Sequence, residues 1–189
     1  MNTTATGSQI GALTFWLALV TAVLAASSAT ATERSFVFSE QGLGPLQRGA
    51  PASMSALAER YPSLDFARGE IVREGVAEPV IRGFSREATA EDPPRLALLV
   101  VLDTEDRVLE IIALDPRFVG PFAGRAGVAL GDLQAVDRTS CVAMVEQYMG
   151  EGRPWVACPS ARTDRLQFLF DANQTPPPST ERVLGVRLY

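Results

Sequence analysis

Two runs, RLALLVVL (95–102) and VLEIIAL (108–114), are almost wholly apolar and rich in β-branched residues, with the polar pentad DTEDR (103–107) between them. That pattern predicts a hairpin in the middle of a sheet. SFVFS (35–39) alternates apolar and polar positions as a half-buried strand does, and LDFARGEIVRE (64–74) and PVIRGFS (79–85) are two short strand candidates. RLQFLF (165–170) and VLGVRLY (183–189) flank the Pro-rich turn DANQTPPPSTER and predict a further hairpin. Helical spacing occurs twice. Met54, Leu57, Ala58 and Tyr61 recur in PASMSALAERYP, with Pro51 suited to the first turn and Pro62 to the end. Leu130, Leu133 and Val136 recur in GPFAGRAGVALGDLQAV, where a Gly-punctuated turn leads into the second helix. The reading is an α+β domain: a largely antiparallel β-sheet built from hairpins, with two short helices and one disulfide.

Ahead of the first charged residue, Glu33, lies IGALTFWLALVTAVLAA followed by the small-residue run SSATA. This predicts a secretory signal peptide spanning 1–31, cut after Ala31, and a single domain over 32–189. No Lys or Arg precedes the apolar core, a departure from the usual pattern. An uncleaved anchor is the alternative, and only then is a membrane a partner. No cysteine closes the apolar core, so no lipid anchor is expected.

The chain carries 22 acidic and 17 basic residues, for a net charge of −5. Every basic residue is Arg, and Ala is abundant, as in a GC-rich bacterial coding sequence; with the leader, this makes the periplasm the expected location. Arginines scattered singly on an acidic chain lack the basic stripe a nucleic-acid binder needs.

The two cysteines, Cys141 and Cys158, bracket VAMVEQYMGEGRPWVA. If the segment is a hairpin turning at GEGR, they stand opposite each other, with facing Cβ atoms close to disulfide spacing. The octet VAMVEQYM fits either period, so a helix followed by a strand is the other reading. Two cysteines in an oxidising compartment imply one bridge. Zinc needs four Cys or His ligands, and a thioredoxin-like centre needs C-x-x-C. Neither set is present, so no metal or cofactor is expected.

Absence of histidine removes the Ser-His-Asp and Cys-His engines, and absence of lysine removes Schiff bases, Ser-Lys dyads and P-loops. GRAGVALG reads as a turn rather than a phosphate cradle. DTEDR reads as a solvated tip rather than a calcium loop, since Arg107 and Val108 break the ligand pattern. No catalytic residue is assigned. Two carboxylates about 5–9 Å apart, acting on envelope glycan, are the one enzymatic chemistry left open.

The candidate binding surface is DPRFVGPFAGR, where Arg117, Phe118, Phe122 and Arg125 combine aromatic and guanidinium groups under Gly/Pro backbone control. The competing reading packs both phenylalanines into the core beside a tight turn.

The ordered set GLGPL, YPSLDF, VGPFAGRAGV, SCVAMVE, VACPSA, LQFLF and PPPSTERVLGVRLY resembles a small family of uncharacterised bacterial envelope proteins typified by the RpoE-regulated lipoprotein. The likeness runs over roughly residues 36–189, carried by motif order and by the two cysteines. It implies an α+β envelope domain with no assigned activity and no catalytic residues. The expectation is a non-enzymatic periplasmic binding module serving envelope homeostasis or stress, its partner an envelope protein or glycan. An inhibitor of a secreted lysozyme or protease is the alternative.

Overall fold

The computed structural model describes residues 36–44, 46–73, 75–86, 93–146, 153–171 and 173–189. The expected leader (1–31) and residues 147–152, which include most of the GEGR turn, lie outside them. Ser35–Tyr189 forms one compact unit.

In chain order the elements are β1 (Phe36–Ser39), β2 (Gly42–Leu43), β3 (Leu46–Gln47), α1 (Met54–Arg60), β4 (Leu64–Arg73), β5 (Val76–Ser85), β6 (Leu96–Leu102) and β7 (Val108–Ala113). There follow β8 (Phe118–Val119), three single 3-10 turns, β9 (Val142–Glu146), β10 (Arg153–Pro159), β11 (Leu166–Phe170) and β12 (Val183–Leu188). Eight strands form one sheet in the order β4-β5-β6-β7-β12-β11-β10-β9, every neighbouring pair antiparallel. A small sheet, β3-β2-β1-β8, contains the parallel pair β1–β8. The fold is thus α+β and sheet-dominated, stapled by Cys141–Cys158.

The apolar hairpin of 95–114 is β6–β7, third and fourth in the sheet, where both faces are covered and near-continuous apolar runs are at home. At its tip Asp103 Oδ1 accepts the backbone N–H groups of Glu105 and Arg107, each at 2.8 Å, which is why an acid begins the turn. The candidates at 64–74 and 79–85 pair over ten residues each, a longer hairpin than their apolar content indicated.

Side chains alternate between the two faces of the large sheet. One face (Ile81, Leu98, Val100, Ile111, Phe168, Val186) packs beneath α1, the small sheet and the 3-10 segments to make the main core. α1 is only seven residues long, too short to persist alone. Ser53 Oγ caps it by accepting from Ala56 N, and Leu57 anchors it. Pro51 sits upstream of that cap, bridged to Arg107, rather than in the first turn.

The second expected helix does not form. Leu130–Asp132 is a single 3-10 turn, because Leu130 N donates to Glu181 O and Gly131 N to Ser179 O instead of starting a helical ladder. Leu130 and Leu133 are nevertheless buried, as their spacing implied, and Val136 is half-buried.

Tyr61 ends α1 and lies in the core, its hydroxyl donating to Leu43 O at 2.9 Å. Burial pushes the phenol up to about 12 from its ordinary 10, against the pull of the Arg60 charge. The folded state then holds a proton that the unfolded chain has released. The stabilisation is complete below about pH 10 and is lost as pH rises through about 12, roughly 2–3 kcal/mol in all. Tyr61→Phe should remove that alkaline slope in urea titrations. At neutral pH it should cost about 0.5–1.5 kcal/mol, because the buried hydrogen bond to Leu43 O is lost.

Candidate functional site

Asp115–Arg125 runs from β7 through β8 to the first 3-10 turn. Asp115 folds back on Arg117: its carboxylate accepts Arg117 N at 2.8 Å, Nε at 2.9 Å and Nη2 at 2.8 Å. Arg117 O accepts Phe36 N at 3.1 Å, continuing the β1–β8 pairing. Arg117 is therefore a local brace, mostly buried.

Phe118 is a core residue, 1% exposed, its ring 5.2 Å from that of Phe36 and 5.9 Å from that of Tyr61. The strand parity that turns Phe118 inward belongs to a two-residue β8 that alternation alone does not reveal. Phe122 goes the other way. It is 41% exposed and held at φ 61°, ψ 31°, in the left-handed region, with Ala123 after it at φ 58°. Two consecutive non-glycine residues there are uncommon, and such geometry persists only where surroundings impose it.

The imposing contacts are visible. Gly120 N donates to Gly124 O at 2.7 Å, and Gly124 N to Pro121 O at 3.2 Å. A Cβ on Gly120 would meet Gly124 O, and one on Gly124 would strike the Phe168 ring. The loop is pinned to the core at both ends and presents Phe122 outward. Arg125, also exposed, follows directly. Of the four residues proposed as a surface, Phe122 and Arg125 remain available; Arg117 and Phe118 support them from within.

Cys141 and Cys158 are bonded, with Cα atoms 4.1 Å apart. The hairpin reading holds for the described part. β9 pairs antiparallel with β10, Val142 opposite Ala157, which sets the cysteines face to face one residue further on. Cys141 follows the 3-10 turn Arg138–Ser140, capped by Asp137. Hydrogen bonds to that carboxylate from the Ser140 hydroxyl, then from Thr139, lower it to about 2.

A charged cluster that the sequence reading did not anticipate lies on the other face of the large sheet. Glu110 is 4% exposed; its Oε2 accepts a hydrogen bond from Arg187 Nη2 at 3.0 Å, and its Oε1 lies 2.7 Å from Arg187 Nε as an ion-pair contact. Arg73 Nη1 and Nη2 reach Glu110 Oε2 at 3.1 Å, and Arg73 Nε faces Glu78 at 3.4 Å. Arg187 Nη1 also donates to Met144 Sδ at 3.6 Å.

Arg73 and Glu110 are three strands apart, as are Met144 and Arg187. Neighbouring strands lie about 4.8 Å apart, so these long side chains reach across roughly 14 Å of the sheet face to meet. Ile71, Val80, Leu99, Ile112 and Leu169 line the same face. A charge inside each of the apolar runs VLEIIA and VLGVRL was the available signal.

Among the described residues no group of three or more His, Cys, Asp or Glu could hold a metal ion, and no helix is long and apolar enough to cross a membrane.

The arrangement is that of an α+β, disulfide-stapled sheet protein carrying a pinned aromatic loop. No family model matches the chain. No curated protein matches it. Among solved structures, the uncharacterized protein yfeY from Escherichia coli has a similar fold, with a TM-score of 0.57 at 15% sequence identity. That alignment covers 80% of this chain and 97% of that one.

Proposed function

We propose that the protein is a non-enzymatic binding module of the bacterial envelope, exported to the periplasm, that holds another envelope component through Phe122 and Arg125. The observation that carries this reading is Phe122 itself: an aromatic side chain kept partly in solvent by a loop in the left-handed region and pinned to the core. Aromatic and Arg groups are the side chains that most often dominate contact energies, and a fixed loop loses little entropy on binding. The disulfide supports an oxidising compartment. A fold similar to that of yfeY is in keeping with the sequence resemblance to the RpoE-regulated envelope family, and a stress-linked role rests on that resemblance.

The test is crosslinked capture from envelope extract with wild type, Phe122→Ala and Ala123→Gly. Phe122→Ala should lose the captured partner without loss of fold. Ala123→Gly relieves a left-handed alanine, so it should keep the partner and gain about 0.5–1 kcal/mol of stability. Equal capture by wild type and Phe122→Ala, or nothing above background, overturns the proposal. The same pinned loop would suit insertion into an enzyme cleft, the second reading. Nanomolar inhibition of a secreted lysozyme or protease that Phe122→Ala abolishes would select it.

A further inference from the structure

Among the described residues β4 is an edge of the large sheet, ten residues long, with no strand on its outer side. Its hydrogen-bond phase follows from one contact. Arg86 N donates to Ser63 O at 3.0 Å, so Ser63 and Arg86 form a hydrogen-bonded pair, and odd-numbered β4 residues turn their N–H and C=O toward β5. Phe66, Arg68, Glu70 and Val72 therefore aim theirs away from the sheet. Two facts agree. Glu70 lies opposite Pro79, which has no N–H to give, and Glu70 O accepts instead from Arg82 Nη2 at 2.8 Å.

The sequence of this edge is antisymmetric in charge about Gly69: Asp65, Arg68, Glu70, Arg73 read minus, plus, minus, plus. Place a second copy antiparallel beside it, with the two-fold axis at Gly69. Arg68, which within the chain is ion-paired to Asp106 at 2.9 Å, then faces the partner's Glu70, and Phe66 faces the partner's Val72. Asp65 and the partner's Arg73 stand opposite each other, but each keeps its own ion pair, to Arg86 and to Glu110. The outward-facing residues pair with one another, as an antiparallel ladder requires. Gly69 meets its own copy where backbones approach most closely. Moving the axis to residue 68 or 70 sets Arg68 against Arg68 or Glu70 against Glu70. A shallow, open depression of about 530 Å³ marks this edge, lined by Arg68, Gly69, Glu70, Pro79 and Val80. Val72, 50% exposed, would be covered.

The geometry points to a reversible, two-fold symmetric homodimer formed by β4–β4 pairing centred on Gly69, which joins two eight-stranded sheets into one. Arg82 works against it. Its guanidinium lies over Gly69 and occupies the Glu70 carbonyl, and on pairing the two copies of Arg82 approach each other. The association is accordingly weak and dependent on concentration.

Sedimentation velocity of the disulfide-bonded protein over a concentration series tests it, with near-UV circular dichroism confirming that each variant is folded. Wild type should pass from monomer to dimer. Glu70→Arg sets like charges opposite each other at both symmetric positions and should weaken the dimer by about tenfold or more. The double exchange Arg68→Glu with Glu70→Arg, made together with Asp106→Asn so that the new carboxylate does not face Asp106, should restore it, and Arg82→Ala should tighten it. A wild type that stays monomeric throughout overturns the proposal. So does a dimer indifferent to Glu70→Arg, or a folded double exchange that fails to re-form it.

Discussion

Glu110→Ala should lower stability by about 3–5 kcal/mol, the largest single-residue effect expected in this protein, measured by urea unfolding at neutral pH. Two guanidinium groups converge on the Glu110 carboxylate, and Arg187 is only 8% exposed. Removing the acid takes two charge-assisted contacts from a buried Arg187 and one partner from Arg73, and desolvated guanidinium groups lose more by this than exposed ones do. The cost arises from breaking the pair, not from any large surplus in having it. Replacing both members by apolar residues of similar volume, Glu110→Leu with Arg187→Met, should therefore recover most of the loss, since Arg73 retains Glu78. If the double variant were as unstable as Glu110→Ala alone, the cluster would be contributing net stability through its geometry.

The second large effect is expected from the staple. Substituting Cys141 and Cys158 together by alanine should cost about 3 kcal/mol, since the bridge closes a loop with a sequence separation of 17. For a domain of this size that corresponds to a fall in melting temperature of roughly 6–12 °C. The loss should not be uniform. Among the described residues β9 is the far edge of the sheet, paired on one side only and carrying the exposed Val142. Hydrogen exchange in Val142–Glu146 should accelerate before that of β10 or β11, because the bridge tethers the start of β9 to a fully buried Cys158. Even acceleration across the sheet would mean that the bridge acts only through the unfolded chain.

Legibility in the sequence followed the range of the interactions concerned. β6, β7, β11 and β12 announce themselves because a doubly covered strand must be apolar nearly throughout, and that signal is local. The disulfide was legible because two cysteines permit one pairing. The segment at Leu130 misleads because its backbone partners, Ser179 and Glu181, lie about fifty residues away and displace a helical ladder that periodicity alone favours. Phe118 and Phe122 share a motif and a composition, yet their fates separate on a two-residue strand and a pair of left-handed dihedrals. The Arg187–Glu110 contact spans 77 positions and depends on β12 pairing with β7, which no window of sequence contains. The sequence did mark both residues as charges set among apolar neighbours.

The place of β12 in the sheet has a consequence in time. β4–β7 and β9–β11 are each built from neighbours in the chain, and only β12, which follows them all, joins the two groups by pairing with β7 on one side and β11 on the other. Until Val183–Leu188 arrives, each group ends in an unsatisfied apolar edge, and Glu110 waits without Arg187. A chain lacking β12 would leave the edges of β7 and β11 unpaired, the condition that invites aggregation, and closing the sheet requires contacts between distant positions. A chain stalled or clipped short of its final strand would lose the keystone of the sheet rather than a dispensable tail.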